Sequence, residues 1–184
     1  YSTMDNEYDE IVLLDSVASL YGFKNWLIRN EKKHYFCPIP LSIGGGICSK
    51  EDAIQTLHKG ADKIVINSSA IENPLLLINL SENCGRQAVM LQVDAKNFNG
   101  VYKCCTNGGR ELSKYSVKDW ISAAHENGVG EVHVTSIDSE GTKEQFPEQL
   151  ASIALTSTDL PVILSGGIRS AGHIDSLVSK HGAT

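Results

Sequence analysis

Pro40-Leu41-Ser42-Ile43-Gly44-Gly45-Gly46-Ile47-Cys48-Ser49 is nearly repeated, 121 residues further on, by Pro161-Val162-Ile163-Leu164-Ser165-Gly166-Gly167-Ile168-Arg169-Ser170. Each copy is a short apolar strand that runs into a glycine cluster and then into a helix start. The interval accommodates four strand–helix units of about 30 residues each, the size of a βαβ repeat. Glycine lets a backbone approach an anion closely. The following helix aims its free N–H groups and positive dipole end at the same point. A single cluster of this kind is most often a tight turn. Two, a whole number of repeats apart, predict a pair of phosphate cradles on one repeating α/β scaffold and a ligand with a phosphate at each end.

Outward from these segments, strand-like runs rich in Val, Ile and Leu recur at Glu10–Asp15, Ile39–Ile43, Lys63–Asn67, Ala88–Asp94, Glu131–Ser136 and Val162–Ser165. Such runs suit strands buried in a parallel sheet. Helical patterns lie between them. Ser49 is placed to cap one, with Glu51 and Asp52 in its first turn and Gly60 closing it. Pro74 opens another near its first position. A third runs from Ser116 through His125 and stops at Asn127-Gly128. After Asp94, the stretches 96–100 and 108–110 flank a predicted small hairpin. Strict alternation predicts a parallel sheet covered by helices. Glycine clusters at the strand ends point to a (β/α)8 TIM barrel in one domain spanning 1–184. Six strands fall short of eight. The opening reads as the tail of a helix, and the expectation is a barrel that is incomplete in this chain, lacking its first and last strands.

The chain has 184 residues, is 41% hydrophobic and carries a formal net charge of -6. That is core enough for one domain, and too acidic a surface for nucleic acid or an anionic membrane. An anionic ligand must therefore be held by local backbone groups. The sequence contains no apolar run of membrane-spanning length, and its opening does not read as a signal peptide. Its five cysteines lack C-x-x-C spacing, which predicts free thiols in a reduced, cytoplasmic protein. Cys104-Cys105 leaves a metal pair or a vicinal disulfide open as the lesser alternatives. The six histidines show no metal-ligand spacing, and neither a metal nor a cofactor is expected. His133, between Val132 and Val134, reads as a side chain packed against a helix. Trp26 and Trp120 read as core or interface residues.

With these motifs in place, the chain resembles the cyclase subunit of imidazole glycerol phosphate synthase, a family of histidine biosynthesis. The resemblance runs from about Asp9 to Gly182. It is carried by DEIVLLD (9–15), PLSIGGGICS (40–49), GADKIVINSSAIENP (60–74), QVDAKN (92–97), GEVHVTSIDSEGTK (130–143) and PVILSGGIRS (161–170). It implies an ammonia-using lyase and cyclase that needs no cofactor. The substrate implied is a bisphosphorylated ribulosyl aminoimidazole carboxamide, and the ammonia comes from a glutaminase subunit in a heterodimer. The segment LLDSVASLYG (13–22) looks more like paralogues of sugar-modification pathways, in which a cyclase-like barrel channels ammonia for sugar amidation. A sugar-phosphate isomerase barrel with no glutaminase is a third reading.

The resemblance assigns roles residue by residue. Asp94, at a C-terminal strand end facing the barrel mouth, resembles one of two catalytic aspartates, acting as general acid or base; its partner would lie on the first strand. Gly46, Asn67 and Ser68 resemble the first phosphate site, and Gly141, Gly166 and Gly167 the second. Thr135 and Ser165 are placed between strand ends at the mouth, where capping of local turns is the plain alternative. Asp15 and Asp138 sit at similar ends, able to orient ligand hydroxyls or to cap loops. Glu10, Lys63 and Glu131 each start a strand, on alternate strands, so that they can meet in one interior layer at the barrel floor. In the resembling family such positions form a charged ring that gates ammonia. Two positions depart from the family pattern: Glu140 stands where aspartate is usual, and Gln92 where a small residue is usual. Gln92 shares a face with Asp94 by strand alternation. Both departures lean toward the paralogue.

Overall fold

The computed structural model describes residues 8–29 and 37–181. The helix tail expected at the start of the chain lies mostly outside these residues, as does His34. All six expected parallel strands form. They are β1 (Ile11–Leu14), β2 (Leu41–Gly44), β3 (Lys63–Ile66), β4 (Val89–Phe98), β7 (Glu131–Ser136) and β8 (Val162–Ser165), and they pair in chain order. Between β4 and β7 the chain inserts β5 (Val101–Thr106) and β6 (Glu111–Ser116), an antiparallel extension. The step from β2 to β8 is four strand–helix units, as the duplicated segments require.

The helices begin and end on the residues that sequence chemistry names. In α2 (Lys50–His58), Ser49 accepts a hydrogen bond from the Asp52 amide at 3.2 Å, and Glu51 and Asp52 face the positive end of the dipole. Gly60, at φ +111°, turns the chain toward β3. In α5 (Val117–Glu126), Ser116 caps in the same way. Its buried residues Val117, Trp120, Ile121 and Ala124 follow the i, i+3, i+4, i+7 spacing that makes one apolar face. Gly128, at φ +92°, follows its end. With α4 (Leu75–Cys84) and α6 (Glu148–Thr156), α5 covers the outer face of the sheet. Leu77, Leu80, Trp120 and Leu150 there meet Ile64, Leu91, Val93, Val132 and Val134 in the main core.

That packing fixes which residues face inward. Strand alternation sends Val89, Leu91 and Val93 of β4 and Val132 and Val134 of β7 to the helices. Met90, Gln92 and Asp94, and Glu131, His133 and Thr135, therefore point to the inner face. The sheet curls around that face. Glu10 and Glu131 lie on either side of Lys63, two strands away each. In a flat sheet they would be about 19 Å apart, yet the Lys63 ammonium bonds both, at 2.7 and 2.5 Å. The architecture is a curled, mainly parallel sheet of the (β/α)8-barrel type. Leu13 on β1 and Ile168, shortly after β8, are exposed at the two ends of the described strand order.

One boundary differs from expectation. β4 does not end at Asp94 but runs on to Phe98. Its parallel ladder with β7 ends at Ala95, and from Asp94 onward it pairs antiparallel with β5. Asn99 (φ +53°) and Gly100 (φ +84°) turn the chain, as an Asn-Gly hairpin of the primed type requires. Asp94 thus sits where the strand changes partner and is held from both sides. All five cysteines are free thiols, Cys104 and Cys105 both buried. Among the described residues, no helix is long and apolar enough to cross a membrane.

Candidate active site

The two duplicated segments fold alike. Gly45 and Gly46 have φ of +94° and +63°; Gly166 and Gly167, at the matching positions, have +85° and +89°. A side chain is excluded on two counts. Positive φ is costly for any residue with a Cβ, and the first glycine of each pair lies against the end of the preceding strand. A Cβ on Gly166 would stand 2.6 Å from the Ser136 carbonyl oxygen, and one on Gly45 would collide with that of Asp15. We expect Gly166→Ala to lower stability by about 2 kcal/mol or more, read as a drop in the urea midpoint, and to weaken binding of inorganic phosphate in calorimetric titration.

Both hooks open on the same end of the sheet. A cavity of 710 Å³ lies at the C-terminal ends of the parallel strands, bordered by Gly46, Asn67, Ser68, Asp94, Thr135 and Ser165. A second hollow of 520 Å³ surrounds Gly141, Gly166, Gly167 and Arg169. Glu140 and Ser165 border both, so the two hollows adjoin. The first hook is followed in the chain by α2 and the second by α7 (Ala171–His181).

Asp94 lies on the wall of the main cavity, on a strand between those that carry the two hooks. Its carboxylate accepts one hydrogen bond from Asn67 Nδ2 at 3.0 Å and another from Gln92 Nε2 at 2.9 Å. Burial pushes its pKa above the usual carboxylate value, while the two amide donors pull the other way. The raised value suits a group that both takes and gives protons nearer neutrality. The network continues across the inner face. Gln92 Nε2 also donates to Thr135 Oγ1 at 2.8 Å; Thr135 and Ser165 hydroxyls lie 2.7 Å apart; Ser165 Oγ is 2.8 Å from His133 Nε2. Burial lowers the pKa of His133, keeping the ring neutral.

At the opposite end of the inner face, Lys63 binds Glu10 and Glu131, and Ser42 donates to Glu10. Partial burial works against the Lys63 charge, but the hydrogen bonds and charges of the two carboxylates outweigh it, and its pKa is raised.

Comparison with known proteins places this arrangement. The histidine biosynthesis protein family matches residues 2–184. The chain belongs to this family. It is 40% identical over 163 residues to imidazole glycerol phosphate synthase subunit HisF of Legionella pneumophila, covering 87% of this chain and 76% of that one. The HisF subunits of Chlorobium phaeovibrioides and Chlorobaculum parvum are 39% and 36% identical, each over 90% of this chain and 66% of the relative. The chain therefore spans about two thirds to three quarters of the length of these relatives.

Within this family member, most sequence-predicted residues converge. Gly46, Asn67, Ser68, Asp94, Thr135 and Ser165 share the main cavity, Gly141, Gly166 and Gly167 the adjoining hollow, and Glu10, Lys63 and Glu131 the floor. Asn67 commits its side-chain donor to Asp94, and the Ser68 hydroxyl accepts from the Asn107 amide at 3.0 Å. Asp138 caps a loop by accepting from the Asn97 amide at 2.8 Å, and Asp15 pairs with Arg29 at 2.7 Å.

His133 corrects an expectation. It does not pack against a helix but faces the cavity, in register with Gln92. The alternation Glu131-Val132-His133-Val134-Thr135 carried that signal, since the two valines claim the helix side. Two cations were missed. Lys24, at the cavity rim, pairs with Asp52 at 2.5 Å. Arg169 borders the second hollow and donates to the Thr142 and Glu144 carbonyls. Each owes its place to a loop, which no periodicity announces. Among the described residues, no group of three or more metal-ligating side chains is gathered.

Proposed function

We propose that this chain is the cyclase barrel of an imidazole glycerol phosphate synthase, acting on a bisphosphorylated ribulosyl aminoimidazole carboxamide. The observation that carries the reading is the pair of like-built glycine hooks opening onto two adjoining hollows, with a partly buried carboxylate on the strand between them. Gly46 and Ser68 with the Asn67 backbone hold one phosphate; Gly141, Gly166 and Gly167 hold the other. Anchored at both ends, the substrate presents its middle to Asp94, and this positioning supplies much of the rate. Ammonia adds to the ribulosyl carbonyl to form an imine. Lyase and cyclisation steps then release aminoimidazole carboxamide ribotide and imidazole glycerol phosphate, with Asp94 moving protons as general acid and base.

The partner is a glutaminase subunit that docks beneath the floor, where Glu10, Lys63 and Glu131 gate the ammonia it makes. A cytoplasmic location goes with this chemistry. The relatives named above all carry the synthase name, so the sugar-amidation reading is not favoured. The test is an assay of the full-length protein with ammonium salt and the bisphosphate. Release of imidazole glycerol phosphate is expected; no consumption of the bisphosphate, with the fold intact, would reject the reading.

A further inference from the structure

Gln92 is 4% exposed, and its amide lies at the centre of the inner face. Its nitrogen is within 2.9 Å of Asp94 Oδ1 and 2.8 Å of Thr135 Oγ1. A carboxylate accepts only, so the amide orientation is forced: Nε2 faces Asp94 and Thr135, and Oε1 faces away. That oxygen is buried and has no hydrogen-bond partner. An unsatisfied buried carbonyl is a cost. An apolar side chain would avoid it, and the outward neighbours Leu91 and Val93 show that this strand readily carries them. The amide is kept for what its nitrogen does.

The remaining partners of Asp94 leave Gln92 a specific task. Asn67, beyond β3, holds Oδ2, and nothing but Gln92 among the described side chains donates to Oδ1. On β5, Cys105 is in register with Asp94, and both Cys104 and Cys105 are thiols that burial keeps protonated. On β7, Thr135 lies opposite and His133 is neutral. Asp15, Lys24, Glu72 and Glu140 border the same cavity, but none of their side chains bonds Asp94. The floor triad is internally paired. With only one donor, the carboxyl would be free to turn about its χ2 bond.

We propose that Gln92 is a positioning residue: bridged to Thr135, it clamps Oδ1 of Asp94 so that the carboxyl plane and its open lone pairs are held toward the ligand. The inference rests on Asp94 as the acid–base group, but its test does not require the cyclase reaction. The Asp94 carboxyl carbon, labelled with 13C, is titrated by NMR in the full-length protein, in wild type, Gln92→Leu and Gln92→Asn. Loss of a donor to the charged form raises the titration midpoint. Leucine removes the donor, and asparagine keeps an amide that is one carbon too short to reach both partners.

Midpoints above wild type in both variants support the clamp. An asparagine midpoint at or below wild type overturns it, because a mere change in burial would let water in and lower the value. If leucine does not fold, the asparagine comparison alone decides. Turnover gives a second readout. With the clamp gone, kcat is expected to fall about tenfold while KM for the bisphosphate changes less than twofold, since both cradles are untouched; a change confined to KM would overturn the proposal. Should wild type show no cyclase turnover at all, the proposed reaction fails and the titration still judges Gln92.

Discussion

Asp94→Asn in the full-length protein is expected to lower ammonia-dependent turnover by about 10²–10⁴-fold and to leave the fold as stable at neutral pH as before, or more so. The two effects have one origin. Burial raises the Asp94 pKa, so the folded state binds its proton more tightly than the unfolded chain does. For an acid, that means a stability contribution that is favourable at low pH and is lost as pH rises from the ordinary carboxylate value of 3.8 through the higher folded value. At pH 7 the ionised group is a cost. Asparagine removes that cost. It keeps one acceptor for Gln92 or Asn67, and the other amide can turn its oxygen toward the new NH2 group. The check is steady-state turnover alongside urea denaturation at pH 7 and pH 4. A variant with normal turnover removes Asp94 from the mechanism; one that is strongly destabilised at pH 7 shows that its charge is compensated after all.

Lys63→Met is expected to do the reverse, damaging stability and altering the use of glutamine. Without the ammonium, Glu10 and Glu131 face each other in a partly closed space. Removing one partner of a buried ion pair costs about 3–5 kcal/mol. These side chains keep 14–24% of their exposure, so screening reduces the loss to about 1–3 kcal/mol. The pH signature follows from the signs. In the native protein the raised Lys63 pKa gives stability that is complete below the ordinary lysine value of 10.5 and fades as pH rises through the folded value. In the variant the two carboxylates are left facing each other without their cation, so its urea midpoint is expected to recover on acidification. A pH-independent loss would show that the methionine merely packs badly. If the triad is the ammonia gate, the ratio of glutamine-dependent to free-ammonia turnover also changes in the heterodimer. An unchanged ratio leaves the triad a structural feature of the floor.

Both expectations concern residues that sequence patterns could single out. Lys63 and Glu131 open their strands and Glu10 just precedes its own; by register Lys63 lies level with Val12 and Glu131 level with Val65, and the stagger of the curled sheet brings the three charges together. Asp94 stands at the mouth end of a strand whose apolar residues alternate with polar ones. The glycine hooks were legible for the same reason: their duplicated sequence reflects a duplicated constraint, a positive φ pressed against the end of the preceding strand. Helix boundaries followed from Ser49, Ser116, Gly60 and Gly128, where capping and left-handed backbone are local properties. His133 was misplaced because its two valine neighbours looked like a core. Their very presence assigned the histidine to the other face.

The sequence by itself determined the six parallel strands, their order implied by alternation, the two glycine hooks and the carboxylate between them. Each of these is written in local chemistry or in a period of two, 3.6 or about 30 residues. Only the tertiary structure decided that β4 changes partner at Asp94, that Gln92 and Asn67 hold the two oxygens of its carboxyl, and that Lys24 and Arg169 reach the rims of the hollows. Those facts depend on how far the sheet curls and on where loops return. Hydrogen-bond partners from distant strands are chosen by that curvature, and no single strand encodes it.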